Sequence, residues 1–208
     1  MSKLIVIDAG HWISDSGAKI EGFQENTITI QIRDELKKVL PDALYVPDNL
    51  DLKMTIEWIN ERVNSNSLAI SIHVNSQNDN SFRGTEAYYY NDSRLADIFS
   101  KHVAEKLGVP NRGAKPDTQT YVGELGFLRK LKCQSVLIEC LYLTNLFDRA
   151  ALIADGPRKI AEGIKEAIKV VLPHPEVLAT DEVPKDLVSQ FLSLLKLFQT
   201  WLKLIQKK

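Results

Sequence analysis

Leu68-Ala69-Ile70-Ser71-Ile72 is long enough for one strand and too short for a helix, and it leads directly into His73. A run apolar on both faces is the mark of a strand covered on both sides, as in parallel sheets. Two other short runs end the same way. Ile5-Val6-Ile7 leads through Asp8-Ala9-Gly10 into His11, and Val136-Leu137-Ile138 leads into Glu139. In open α/β sheets, functional groups gather outside the carboxyl ends of the strands. Three acid/base or metal-competent side chains are thus delivered to one sheet edge. With Glu25 added, two histidines and a carboxylate make a zinc set with an open fourth position, and a second glutamate can serve as general base.

Working outward, strand-like and helix-like patterns alternate. Leu4–Ile7 reads as a strand. Asn26–Leu40 carries Ile28, Ile32, Leu36 and Val39 at helical spacing, stopped by Pro41. Ala43–Val46 reads as a strand, and Leu52, Ile56, Ile59 and Val63 mark a helix. The polar stretch 76–81 reads as a loop. Thr85–Tyr90 reads as a strand, and Ser93 as the cap of a helix bearing Leu95, Ile98, Phe99, Val103 and Leu107. Residues 111–122 read as a loop near the site, and Ser135–Glu139 as a buried strand. Phe147–Leu172 reads as helical, broken at Gly156-Pro157. The expected fold is α/β: one twisted sheet, mixed or mostly parallel, with helices on both faces and an added C-terminal amphipathic helix.

The domain is expected to span residues 1–172, followed by a polar linker over 173–184. In 185–208, Val188, Phe191, Leu195, Phe198, Leu202 and Ile205 fall on alternating three- and four-residue steps, a heptad seam. Three readings stand for that segment: docking on the domain, self-association, or contact with a membrane or wall surface through its lysines.

The chain has 208 residues, 44% apolar and 25% charged, with a net charge of −1. That balance gives no electrostatic reason to expect nucleic-acid binding. No apolar run is long enough to span a bilayer. The N-terminus enters a strand almost at once and shows no signal-peptide pattern, so synthesis in the cytoplasm is expected. Cys133 and Cys140 read as plain thiols rather than a disulfide framework or zinc ligands.

With these residues in place, the chain resembles the zinc-dependent N-acetylmuramoyl-L-alanine amidases of the Amidase_3 type, phage endolysins in particular. Asp8-Ala9-Gly10-His11 resembles the opening zinc motif, and Glu25, followed by Asn26-Thr27-Ile28, the ligand glutamate at the start of the first helix. Ser71-Ile72-His73-Val74-Asn75 resembles the second histidine motif, and Leu137-Ile138-Glu139-Cys140, with Thr144-Asn145, the catalytic-glutamate motif. Arg83-Gly84-Thr85-Glu86 and Asn111-Arg112-Gly113-Ala114-Lys115 are weaker matches. Trp12 stands where glycine is common, which would narrow the pocket, and Ser135 replaces a common proline.

The resemblance covers residues 3–172. It implies His11, Glu25 and His73 as Zn2+ ligands, Glu139 as general base, and bacterial peptidoglycan as the substrate. The bond implied is the amide between muramic acid and L-alanine. A lytic role after release to the wall, in host lysis by a phage or prophage or by a mother cell in sporulation, fits that reading.

Other readings are a zinc peptidase acting on another amide, and a catalytically inactive wall-binding or scaffold module. Glu21 rivals Glu25 as the ligand. Arg112 is a candidate contact for substrate carboxylates, and Asn75 for orienting neighbouring groups. His102 and His174 carry no functional signal.

Overall fold

The computed structural model describes residues 4–172. The expected linker, the heptad helix over 185–208, its self-association or surface contact, and His174 lie outside the described residues. Among those described, no helix is long and apolar enough to cross a membrane.

In chain order the elements are β1 (Ile5–Ala9), β2 (Lys19–Ile20), β3 (Phe23–Gln24), α1 (Glu25–Val39), β4 (Leu44–Tyr45), α2 (Leu52–Asn60), β5 (Leu68–Asn75) and β6 (Thr85–Tyr89). Then come α3 (Ser93–Leu107), β7 (Asn111–Pro116), α4 (Gly126–Lys130), β8 (Gln134–Tyr142), α5 (Leu146–Ile153) and α6 (Gly156–Val171). The main sheet has six strands in the order β4-β1-β5-β8-β6-β7. The first four run parallel, and β6 pairs antiparallel with β8 while β7 runs parallel to β6. The sheet is therefore mixed.

The apolar runs take the central places because they are covered on both sides. One face of the sheet meets α2 and α4, where Val6, Ala69, Leu137 and Tyr88 pack with Ile59, Phe127 and Leu128. The other face meets α1 and α3, and α6 packs against both of those helices. Each of these presents a buried stripe: Ile28, Ile32 and Leu36 on α1; Leu95, Phe99 and Val103 on α3; Ile160, Ile164 and Ile168 on α6. Spacing of three or four residues places each stripe on one side of its helix, and each such side chain contributes roughly 1.5–3 kcal/mol when buried.

Several boundaries differ from expectation. Asp92, not Ser93, caps α3, accepting from the Leu95 backbone N–H at 3.0 Å. Either residue type can cap; the carboxylate one position earlier is the one that reaches. Residues 111–116 form a strand rather than a loop. They lack an apolar pattern because β7 is an edge strand, where charges and a terminal proline are tolerated. Residues 19–24 form a hairpin whose turn, Glu21-Gly22, has φ of 47° and 87°, the paired positive values of a type I′ turn. The break at Gly156-Pro157 is the start of α6, with proline in the first turn, where its missing N–H costs nothing.

Gly163 sets the approach of α6 to α3. A Cβ there would lie 2.8 Å from the Val103 Cα and 2.9 Å from the His102 carbonyl oxygen. Both neighbours are backbone, so neither can swing away. Gly163→Ala should therefore destabilise the domain by about 1–3 kcal/mol despite alanine's better helix propensity. Chemical denaturation of the two proteins checks this, and an unchanged or raised midpoint would contradict the close approach.

Candidate functional site

Sheet register lines up one row of side chains. Cβ atoms alternate between faces, and His73 on β5 pairs with Glu139 on β8, which pairs with Glu86 on β6. All three therefore point to the α2/α4 side, near the carboxyl ends of the parallel strands. His73 and Glu139 lie within their strands, which extend three and four residues past the ends of the apolar runs. His11 follows β1 with φ of 70°, a left-handed conformation that turns its side chain toward the same row. Gly10 makes the approach possible: a Cβ there would lie 2.4 Å from His73 Nε2.

Glu25 closes the group from the first position of α1. Its Oε2 is 3.0 Å from His11 Nε2, and its Oε1 is 3.0 Å from His73 Nδ1. The Val74 backbone N–H donates to Oε1 at 3.1 Å, and the Ala18 N–H donates to Oε2 at 3.0 Å. Burial opposes the charge on Glu25, but hydrogen bonds and charge from both histidines prevail, holding its pKa far below the usual carboxylate range. His11 Nδ1 lies 3.0 Å from Asp15 Oδ2. Burial would lower the pKa of His11, yet the hydrogen bonds and charges of Glu25 and Asp15 push it up to about 9.

Among the described residues, His11, Glu25 and His73 form a group able to hold a metal ion, their ligand atoms all within 4.8 Å of one another. Three further observations fit an ion there. The donor set of two imidazoles and one carboxylate suits zinc. A carboxylate backs the remaining ring nitrogen of His11, as metal-bound histidines commonly require. Gly17, with φ of 59°, leaves clear the space where a Cβ would sit 2.5 Å from Glu25 Oε2 and 2.6 Å from the His11 ring.

Glu139 lines the same cleft, of about 360 Å³, as His11, Glu25 and His73. Its Oε2 is buried without a hydrogen-bond partner among the described residues. Burial first, then the charges of Glu25 and Glu86, raise its pKa well above that of an ordinary glutamate, with Lys115 opposing. Glu86 is itself buried and stays ionised. Burial is outweighed by Lys115, whose Nζ donates at 2.5 Å, by Arg112 at 2.7 Å and by Tyr88 at 2.8 Å.

The other candidates resolve as follows. Glu21 sits in the hairpin turn and accepts from Arg149 at 2.8 Å, away from the histidines. Arg112 turns its Nε to Glu86. Asn75 lines the cleft and donates to Glu86 at 3.2 Å. His102 lies on α3 beside Glu105. Trp12 borders a neighbouring cavity of about 300 Å³ floored by Asp8 and Ser71. Cys140 is a buried free thiol and Cys133 a partly buried one. Asp15 escaped the sequence reading, and Glu86 and Lys115 entered it only inside weaker family matches, with no role assigned. Alternation along Thr85–Tyr90 would have put Glu86 and Tyr88 on one face, but no local pattern links Asp15 to His11.

The profile of the N-acetylmuramoyl-L-alanine amidase family, Amidase_3, matches residues 5–170. The chain belongs to this family. It is 30% identical over 190 residues to the endolysin of Bacillus phage SPP1, covering 83% of this chain and 67% of that protein. It is 31% identical over 163 residues to the N-acetylmuramoyl-L-alanine amidase LytC of Bacillus subtilis (strain 168), covering 73% of this chain but 32% of LytC. The chain thus spans about a third of that relative. The structure superposes with a TM-score of 0.70 on the catalytic domain of CwlV, an N-acetylmuramoyl-L-alanine amidase from Bacillus (Paenibacillus) polymyxa var. colistinus. The two are 30% identical, over 82% of this chain and 98% of that one. The mixed sheet and its flanking helices are those of the family.

In protein stripped of any bound metal, the cluster should make stability depend on pH. His11 is held near 9 when folded against an ordinary value of 6.5, so its contribution is fully present below about pH 6.5 and is lost as pH rises through 9. The melting temperature of the stripped protein should fall between those values, and His11→Gln should flatten the slope. An equal fall in the variant would mean that other groups carry it.

Proposed function

We propose that this chain is a zinc-dependent amidase that hydrolyses the amide between the lactyl group of N-acetylmuramic acid and L-alanine in bacterial peptidoglycan. His11, Glu25 and His73 would hold the ion, and Glu139 would be the catalytic acid/base. The observation that carries the reading is the cleft in which an unpartnered Glu139 carboxylate oxygen and the His11–Glu25–His73 group meet. Membership of the family supports the bond and the substrate.

When bound, zinc supplies Lewis acidity toward the amide carbonyl and toward water. The chain's own groups supply the rest. Glu25, fixed by two backbone N–H groups, keeps both imidazoles facing one point. Asp15 holds His11 in the ring orientation that leaves Nε2 facing Glu25. Glu139 takes a proton from the attacking water and returns it to the L-alanine nitrogen as the C–N bond breaks, leaving a lactyl carboxylate and a free amine. A carboxyl group whose pKa is raised is suited to carrying a proton in both directions.

Mass analysis of products from purified peptidoglycan tests the reading directly. New N-terminal alanine on free stem peptides, lost with a chelator and restored by zinc, is the expected result. Zinc-dependent cleavage of another bond would keep the metal chemistry and replace the substrate bond. Glu139→Gln should lower the rate between about a hundredfold and ten-thousandfold while bound zinc stays unchanged. Full activity in that variant would remove Glu139 from the mechanism.

Similarity to the SPP1 phage endolysin supports a lytic role. Expression together with a membrane-permeabilising pore should lyse a host whose wall is cleaved in vitro, and survival of that host would argue against such a role.

A further inference from the structure

Among the described residues, the cleft carries no charged side chain away from the His11–Glu25–His73 group and Glu139. Its polar lining there is Asn75, Ser76, Gln77, Gln119 and Thr120, all amides and hydroxyls, and Tyr121 stands at its edge. Tyr121 is fully exposed, and Val122 beside it is 73% exposed. Large apolar side chains displayed together beside a cleft, with nothing gained for the fold, mark a contact surface.

The loop that displays them is built. Asp117, only 2% exposed, accepts from Arg129 at 2.6 Å and 3.0 Å and from the Leu125 N–H at 3.1 Å. The Thr120 N–H donates to the Asp117 carbonyl at 3.0 Å, and Thr120 Oγ1 donates to the Gly123 carbonyl at 2.6 Å. Gly123, with φ of 76°, completes the turn, its N–H donating to Thr120 at 3.1 Å. A tight turn anchored by the ion pair of buried Asp117 with partly buried Arg129 holds Tyr121 out from the surface. Tyrosine offers a large flat apolar body with a polar tip and few rotatable bonds, which suits it to such a surface.

The substrate of the reaction proposed above has two parts. The stem peptide bears carboxylates, which call for cationic partners. This lining has none, and Arg112 and Lys115 are paired with Glu86. The saccharide part offers hydroxyls, acetamido groups and flat C–H faces, which call for neutral amides, hydroxyls and an aromatic ring.

We infer that Tyr121 and the neutral wall of Asn75, Gln77 and Gln119 form a saccharide subsite, in which an N-acetylated sugar of the glycan packs on the Tyr121 ring. The inference rests on the amidase reading, and its test separates the two. With the full chain, kinetics are compared on a soluble disaccharide–stem peptide and on the same stem peptide carrying only a lactoyl group.

Tyr121→Ala should raise KM about tenfold on the first substrate with kcat kept, and leave any turnover of the second unchanged, while Tyr121→Phe stays near wild type. Wild-type cleavage of the first and not the second also supports the subsite. An equal loss on both substrates, or no change on the first, overturns it.

The peptide-free N-acetylglucosaminyl–N-acetylmuramic acid disaccharide, titrated against both proteins by NMR, reads binding without hydrolysis. Weakening of about tenfold in Tyr121→Ala is expected. If neither peptide substrate is cleaved, the amidase reading fails, and this titration still decides the subsite. Wild-type protein that does not bind the disaccharide overturns it.

Discussion

One carboxylate ties the site together. Glu25 touches both histidines, and two backbone N–H groups from different parts of the chain hold its oxygens. Through it the exit of β1, the segment before the β2–β3 hairpin, the start of α1 and the end of β5 meet at one point. The buried negative charge is tolerable because donors surround it and because it lies in the first turn of a helix, where the dipole favours an anion. Removing any one of those elements would leave the carboxylate under-satisfied, so the local fold and the proposed metal site share the same support.

The sheet supplies the second constraint. Register places His73, Glu139 and Glu86 side by side on three neighbouring strands. The two glutamates of the row would repel if both were fully ionised. The arrangement separates them: Glu86 is neutralised by Lys115 and Arg112, Glu139 has its pKa driven upward, and His73 faces Glu25. Two glutamates on adjacent strands thus have their pKa values pushed apart because their partners differ, a condition suited to the proton-carrying role proposed for Glu139 beside a fixed charge at Glu86.

Specificity is built on a different part of the chain. The turn over 117–124 precedes Leu125, which packs against the core, and is tied down by the pair of buried Asp117 with partly buried Arg129. Anchoring a recognition loop by a polar network separates substrate contacts from the packing that keeps the sheet intact. Changes at the loop tip can therefore alter binding with little effect on stability.

Much of this was legible along the chain. The apolar runs before His11, His73 and Glu139 carry their own strand signal, and the stripe beginning at Ile28 marks the helix that Glu25 starts. Local pattern suffices there because burial on both faces leaves a continuous apolar run and helix packing leaves a 3.6-residue period. The edge strand 111–116 was not legible, since an edge position removes the apolar signal. Nor were the partnerships of Asp15 with His11, of Lys115 with Glu86, or of Asp117 with Arg129. A hydrogen bond between distant or turn-bound side chains depends on distance in space, and no periodicity records it. The sequence by itself determined the α/β class and which residues could do chemistry. Only the tertiary structure decided which of them meet, which way their pKa values are pushed, and which face of the cleft is left neutral, because register and burial set those distances and fields.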